Sequence, residues 1–349
     1  MTDDPASQTH THPADVAQMA TALGGQVRHV LRRPFVHAGH EIYLSARSGI
    51  GIFPTEAATG EDVLKAAHVN AYRPSGGANL VDGTAMGLAP RQELDLIARL
   101  HHAIDRHEFF LHYQPVINLS TGRMTGVEAL IRWQPPDGPV VPPNQFIPLA
   151  ERTNLIAPIT QWVAEQVCRQ KQQWRRRGIE LAINLNFPVG MWDHASLVNL
   201  VALMNAHGLA PDDLVIEVTE WAVATDAEQS SGALQAVRTH GMRLAIDDFG
   251  TGYSSLARLG ELPAAVIKVD RSFVRDLPDD PTAVAITRGI VDIAHGLEKQ
   301  ALAEGIETEE QRAFLASLGC DLGQGFLFSR PVPVAEIEAM LAAERRRAA

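Results

Sequence analysis

The sequence predicts an α/β protein built as a TIM-like (β/α)8 barrel in which one strand runs antiparallel to the others. From about Ile97 onward, short runs rich in β-branched and aromatic residues alternate with longer amphipathic stretches of helical periodicity. Eight runs of the first kind are present, enough to close a barrel of this type. We expect the strands at residues 109–118, 126–133, 181–186, 214–219, 243–247, 265–269, 300–304 and 325–328.

The connections between these runs predict the strand directions. Helical spacers are expected at residues 158–175, 196–206, 227–240 and 283–296, and spacers of this length join parallel strands. Only residues 119–125 separate the first two strands, which is too short for a crossover helix and fits a hairpin. One strand should therefore be antiparallel.

Composition and charge narrow the classes of function. With 46% hydrophobic and 20% charged residues among 349, the chain can bury a full core. The N-terminus lacks a basic segment followed by an apolar one, and no later run reaches about eighteen apolar residues, so we expect a cytoplasmic protein that does not enter the membrane. A net charge of −11 disfavours polymeric nucleic acid as a partner, because a phosphate backbone is bound by a basic stripe. Cys168 and Cys320 are expected to be reduced core thiols.

Polar side chains end most of the predicted strands. In a barrel of this type the carboxyl ends of the strands meet at one mouth, where active sites lie. A single carboxylate there could equally be a solvated strand end or a helix N-cap, but six strands carry such residues. They are Glu128, Asn184, Glu217, Glu220, Asp247, Asp248, Lys268, Asp270, Glu304 and Glu307.

This set of side chains favours a metal-dependent reaction. So many carboxylates at one mouth would repel each other unless cations neutralise them. Oxygen ligands from Asp, Glu and Asn favour Mg²⁺ or Mn²⁺ over zinc or copper. The adjacent Asp247 and Asp248 suit two metal ions, an arrangement used for in-line displacement at phosphorus, and Lys268 could orient the attacking water. The residues therefore indicate phosphodiester hydrolysis.

A series of segments resembles, in order and spacing, the signature of EAL-domain cyclic di-GMP phosphodiesterases. The segments are YQPVINLSTGRMTGVEALIRW, FIPLAERTNLI, AINLN, VIEVTE, AIDDFGTGYSSL, VIKVDRSFV, ALAEGIET and GQGFLFSRP, and the match covers about residues 92–341. The resemblance implies hydrolysis of cyclic di-GMP to linear 5′-pGpG by a two-metal mechanism, which would lower a bacterial second messenger. Mg²⁺ or Mn²⁺ would support the reaction, and Ca²⁺, which prefers longer bonds and looser coordination, would inhibit it.

The resemblance also implies roles for the residues of the mouth. The metal ligands would be Glu128, Asn184, Glu217, Asp247, Asp248 and Glu304. The catalytic residues would be Lys268, Glu304, Gln324 and Glu128, with Gln324 holding a water or a phosphate oxygen. The dinucleotide would be contacted by Gln114, Leu130, Arg132, Asp270 and Gln324. Glu307 resembles the glutamate that anchors the DDFGTG loop, and Asn186 stands where the family usually has serine, which we expect to tune the site.

The N-terminal part resembles a different domain. The segments RRPFVHAGHEIYLSARSGIGIFP, EDVLKAAHVNAY and PSGGANL are similar to the C-terminal half of a GGDEF diguanylate cyclase domain, whose GGDEF hairpin is absent. We therefore expect a truncated, inactive GGDEF-like remnant at residues 1–85, a small α+β unit, and the EAL barrel at residues 92–341.

Two other functions are alternatives to phosphodiester hydrolysis. A catalytically silent EAL module that binds cyclic di-GMP as a sensor is the main alternative, although such modules often lose a ligand that this chain retains. A metal-dependent enolising lyase would not need Gln114, Arg132 and Gln324.

Similar EAL domains pair near the fifth and sixth strands, so we expect a homodimer through residues 253–259 and 262–265. These apolar residues could instead only cover the barrel.

Overall fold

The computed structural model of this chain describes residues 35–37, 40–42, 53, 59–60, 62–64, 67, 90–225, 227–251 and 256–348. Internal contacts divide the chain into two units, one of residues 1–101 and 148–154 and one of residues 102–147 and 155–349.

The first unit contains a short antiparallel pair of strands. Strands β1 (Phe35–His37) and β2 (His40–Ile42) pair with Phe35 opposite Ile42. The remaining elements expected for a GGDEF-like remnant fall mostly outside the described residues. The expected division between residues 1–85 and 92–341 therefore stays a prediction.

The second unit contains a closed barrel of eight strands in the order β10-β3-β4-β5-β6-β7-β8-β9. Strand β3 is antiparallel to both of its neighbours, β4 and β10, and the other neighbouring strands are parallel. The bounds are β3 (Phe109–Asn118), β4 (Met124–Trp133), β5 (Ala182–Asn186), β6 (Leu214–Thr219), β7 (Arg243–Phe249), β8 (Ala264–Val269), β9 (Gln300–Ala303) and β10 (Leu322–Gly323). The predicted barrel with one antiparallel strand is confirmed.

The last strand lies earlier in the chain than the sequence predicted. Residues 325–328, which were expected to form it, make turns instead, and Leu322–Gly323 form β10. The reason is the approach of Gly325 to the chain after β9, where an added Cβ would lie 2.1 Å from the Ile306 carbonyl oxygen. The prediction of a strand at 325–328 was wrong because an apolar run does not show which backbone it packs against.

The helices of the chain include all four predicted spacers. Several begin at side-chain caps: Asp193 accepts the Ser196 N–H at 2.9 Å, and Asp280 accepts the Ala283 N–H at 2.8 Å. The helices are α1 (Pro90–His102), α2 (Pro143–Arg152), α3 (Ile156–Arg176), α4 (His194–Ala206), α5 (Glu220–Thr225), α6 (Ala227–His240), α7 (Leu256–Glu261), α8 (Arg271–Val274), α9 (Pro281–Gly296), α10 (Glu309–Ser317) and α11 (Val334–Ala348). Within the described part of the chain, none of them combines the length and the apolar character that a membrane span needs.

Apolar packing holds the strands in place on both faces of the barrel wall. Six strands contribute buried side chains to one cluster, which contains Val116, Val215, Ala245, Val266, Leu302 and Leu322. A second cluster of aromatic rings includes Phe109, Trp133 and Phe146, with ring centroids 5.7–6.2 Å apart. Cys168 and Cys320 are buried free thiols, as predicted, and burial raises the pKa of each to about 12. The packed wall fixes the strand ends that form the mouth.

Candidate active site

The strand register brings the predicted residues together at the mouth of the barrel. Glu128 on β4 lies beside Asn184 on β5, and Asn186 lies beside Glu217 on β6. A cavity of about 280 Å³ opens there. Seven predicted residues line it, namely Gln114, Glu128, Leu130, Asp247, Glu304, Glu307 and Gln324.

Lys268 forms the electrostatic centre of the site. Its Nζ lies 2.9 Å from Glu217 Oε2, 3.0 Å from Asp247 Oδ1 and 2.7 Å from Glu304 Oε1, and its side chain is 1% exposed. Burial alone would lower the pKa of Lys268, but the surrounding carboxylates raise it well above its ordinary value. Lys268 is therefore a fixed positive charge that holds three carboxylates, two of them on β6 and β7 and the third directly after β9.

Glu217 is the most deeply enclosed carboxylate. Burial raises its pKa, as do the neighbouring Glu128 and Asp247, while Lys268 acts in the opposite direction. Asn184 donates its Nδ2 to Glu217 Oε1 at 2.7 Å. Because the amide nitrogen makes this bond, the side-chain oxygen Oδ1 is the atom that Asn184 could offer to a hard cation.

Two side-chain amides hold the carboxylate of Glu128. Asn186 Nδ2 donates to its Oε1 at 2.7 Å, and Gln324 Nε2 donates to its Oε2 at 2.6 Å. Neutral donors orient a carboxylate without cancelling its charge. Glu128 is therefore held in a fixed position at both of its carboxylate oxygens.

The direction of the Gln324 amide follows from its neighbours. Gln114 donates to the Ser329 carbonyl oxygen at 3.0 Å, so its own Oε1 is left to accept from Gln324 Nε2 at 2.9 Å. The opposite orientation of Gln324 would set its oxygen against the oxygens of Gln114 and Glu128. Gln324 Oε1 is buried and has no hydrogen-bond partner among the described residues. It is an acceptor available to a group that carries a hydrogen.

Asp247, Asp248 and Glu304 fit a divalent cation. Each offers an oxygen atom, and these atoms lie within 4.8 Å of one another. Burial, then repulsion from Asp247, raises the pKa of Asp248 to about 6. Burial also raises the pKa of Glu304 to about 7 although Lys268 acts against it. A cation would relieve both the burial cost and the mutual repulsion of these carboxylates.

Backbone geometry supports the same interpretation of this cluster. Asp248 lies in the left-handed region with φ 54°, which is uncommon for a residue with a side chain. Such strain is concentrated at functional sites. Asp247 Oδ1 accepts from the Asp248 N–H and from Lys268, both at 3.0 Å, and Asp247 Oδ2 takes no part in these two bonds.

Glu220 holds the loop that follows the two aspartates. Its Oε2 accepts the Gly250 N–H at 2.9 Å, and Gly250 has φ 94° and would place a Cβ 3.0 Å from the Phe273 ring. Sequence reasoning placed Glu220 at the mouth without this role. Glu307 lines the cavity, and its expected role in anchoring the DDFGTG loop, residues 247–252, of which residue 252 lies outside the described residues, stays a prediction.

Two residues predicted to contact the dinucleotide, Arg132 and Asp270, are not among the described residues that line this cavity. Arg132 is half-buried, and its Nη1 donates to the Ile131 carbonyl oxygen at 2.8 Å. Asp270 caps α8 by accepting the Ser272 N–H at 2.9 Å. Sequence reasoning missed Arg271 and Phe326, which also line the cavity. The position of Arg271 directly after Asp270 was the available signal.

The family follows from comparison with known proteins. The EAL domain family matches residues 97–331. Over 336 residues the chain is 38% identical to the bifunctional diguanylate cyclase/cyclic di-GMP phosphodiesterase MucR of Pseudomonas aeruginosa. This alignment covers 95% of this chain and 48% of MucR. It is 36% identical over 350 residues to the cyclic di-GMP phosphodiesterase NbdA of the same species, and that alignment covers 99% of this chain and 44% of NbdA. The chain thus spans about half the length of these curated relatives.

Solved structures share the barrel. A c-di-GMP complex of the PaMucR phosphodiesterase is 42% identical, with a TM-score of 0.67 over 70% of this chain and 100% of that chain. The FimX EAL domain from Pseudomonas aeruginosa bound to c-di-GMP is 26% identical, with a TM-score of 0.63 over 68% of this chain and 96% of that chain. Sequence motifs, barrel topology and these similarities agree: the chain belongs to the EAL domain family.

Proposed function

We propose that this protein is a phosphodiesterase that hydrolyses cyclic di-GMP to linear 5′-pGpG. The observation that carries the proposal is the convergence of the whole predicted ligand set on one mouth around the buried Lys268. Relatives named as cyclic di-GMP phosphodiesterases, and a related structure in complex with c-di-GMP, support the choice of substrate.

Two divalent cations, Mg²⁺ or Mn²⁺, fit the oxygen-rich mouth. The residues that would hold them are Glu128, Asn184, Glu217, Asp247, Asp248 and Glu304. When bound, such ions stabilise the charge on the attacking and leaving oxygens of an in-line displacement.

The protein's own side chains orient the reacting groups. Lys268 keeps Glu217, Asp247 and Glu304 in one arrangement and supplies positive charge beside the cavity. The acceptor Oε1 of Gln324 suits a water, which carries hydrogens, better than an ionised phosphate oxygen, which carries none. We therefore assign Gln324 to the attacking water, and Gln114, Leu130, Arg132 and Asp270 to the dinucleotide.

The test is incubation of the purified protein with cyclic di-GMP and Mg²⁺, followed by chromatography that separates pGpG from substrate. We expect pGpG from the wild type and from Asp137→Asn, a matched change at an exposed aspartate, and none from Asp247→Asn. Binding of cyclic di-GMP without turnover in the wild type would instead identify a silent sensor module.

The choice of metal ion gives a second test. We expect turnover with Mg²⁺ or Mn²⁺ and little with Ca²⁺, because Ca²⁺ takes longer bonds and more ligands and would misplace the water. The rate of pGpG formation is measured after removal of metal with a chelator and addition of each ion. Equal rates with Ca²⁺ and Mg²⁺ would contradict the two-metal assignment.

A further inference from the structure

The end of strand β5 carries two asparagines that act on opposite neighbours. Asn184 and Asn186 are two residues apart in a strand, so their side chains point to the same face. Asn184 donates to Glu217 on β6, and Asn186 donates to Glu128 on β4, each at 2.7 Å. One strand thus holds a glutamate on each side of it.

Asn186 supplies the second of two hydrogen bonds to the Glu128 carboxylate. Gln324 already occupies Glu128 Oε2 at 2.6 Å, and Asn186 occupies Oε1. A carboxylate held at only one oxygen can still rotate about its terminal torsion, which is broad and roughly two-fold. With both oxygens held, the plane of the Glu128 carboxylate is set before any cation arrives.

We propose that Asn186 is a positioning residue that orients Glu128 for metal binding. The proposal rests on the proposed function, since it takes Glu128 as a metal ligand. Hydrogen bonds to ligand side chains fix their orientation, and loss of such partners typically weakens metal binding about tenfold to a hundredfold. Serine, which the family usually carries at this position, retains a donor on a shorter side chain, whereas alanine has none.

A purely structural role makes a different prediction. If the Asn186 bond only tied β5 to β4, its loss would lower the stability of the metal-free protein and leave metal affinity unchanged. Metal affinity and metal-free stability are therefore measured on the same variants.

The experiment is calorimetric titration of Mn²⁺ into metal-free protein without any nucleotide, together with thermal unfolding in chelator. The variants are Asn186→Ala, Asn186→Ser and the control Asn199→Ala, an exposed asparagine on α4 outside the site. We expect Asn186→Ala to weaken Mn²⁺ binding by about tenfold or more with an unchanged Tm, Asn186→Ser to recover most of that loss, and Asn199→Ala to match the wild type.

Two results would overturn the proposal. One is Mn²⁺ affinity of Asn186→Ala within about twofold of the wild type, which is below the effect of a lost ligand partner. The other is a serine variant as weak as the alanine variant, because the missing donor would then not be the cause. Since no substrate is present, a wild type that fails to hydrolyse cyclic di-GMP would refute the proposed function separately.

Discussion

Lys268 makes a crowded set of acids compatible with a folded barrel. It is 1% exposed and contacts three carboxylates, of which Glu217 is fully enclosed. Breaking a buried ion pair by removing one partner leaves an uncompensated charge and typically costs about 3–5 kcal/mol. Loss of Lys268 would therefore leave buried carboxylates uncompensated. One lysine cannot balance all of the acids at the mouth, and a metal ion bound there would offset the remaining negative charge.

The excess charge predicts an unusual pH dependence for the metal-free protein. The pKa of Glu304 is raised by burial to about 7, and that of Asp248 to about 6, from ordinary values of 4.5 and 3.8. Raised values mean that the folded state binds these protons more tightly than the unfolded state. Their contribution to stability is complete below the ordinary values and is lost as the pH rises through about 6 and about 7.

We therefore expect the Tm in chelator to fall between about pH 5 and about pH 8, and added Mg²⁺ to reduce that fall because the cation replaces the protons. Differential scanning calorimetry across this range is the measurement. Glu304→Gln should show a smaller fall than the wild type. A Tm of the metal-free wild type that rises over the same interval would contradict this account.

Glu128 gives the clearest single-residue test of the site. Glu128→Ala should reduce turnover to less than about a tenth, since it removes a ligand, and should leave the Tm equal or slightly raised because one source of like-charge repulsion is gone. The exposed Glu180→Ala serves as the matched control for activity and Tm. Turnover of Glu128→Ala above about a tenth of wild type would remove Glu128 from the ligand set.

At the scale of elements, the mouth depends on the short strand β10 and the turn after it. Gly323 and Gly325 flank Gln324, and an added Cβ at Gly323 would lie 2.6 Å from the Ile306 and Leu119 side chains. These glycines let the chain approach the loop after β9 closely enough for Gln324 to reach Glu128. Strand β10 is short because it has to end where that approach begins.

Gly325→Ala tests this packing. The new methyl group would meet the Ile306 backbone at 2.1–2.7 Å, so the chain after β10 must move. We expect a loss of about 1–3 kcal/mol in the free energy of unfolding, measured with urea, and lower turnover because Gln324 shifts with the chain. Gly190→Ala is the matched control, since an added Cβ there meets nothing within 4 Å. A Gly325→Ala protein with wild-type stability would show that the turn adapts without cost.

At the scale of the whole molecule, the expected homodimer stays a prediction. Leu259, Leu262 and Ala264 are already buried within the chain, which favours their covering the barrel, while the side chains of residues 252–258 lie outside the described part. If the dimer forms through this segment, it would support the loop after Asp248.

We then expect activity per chain to fall on dilution below the dimer dissociation constant. Turnover and light scattering are measured over the same dilution series, with Mg²⁺ held in excess. Constant activity per chain during conversion to monomer would refute the link between assembly and the metal loop.

By itself, the sequence determined the barrel, its antiparallel strand and the residue types that lie at the mouth. These follow from local features: residue periodicity, the short connection at residues 119–125, and the residue types at strand ends. The same features predicted that Glu128, Asp247 and Lys268 would converge, because the carboxyl ends of parallel strands meet at one edge.

Only the tertiary structure decided how those side chains are held. Glu128 and Gln324 are 196 residues apart, and Asn186 and Glu128 are 58 apart, so their hydrogen bonds leave no periodic trace in the sequence. The close approach of Gly325 to Ile306, which moved the last strand, is likewise a contact between distant segments. Local pattern reports which face a residue occupies, whereas the direction of an amide and the partner of a charge depend on what the rest of the chain brings beside it.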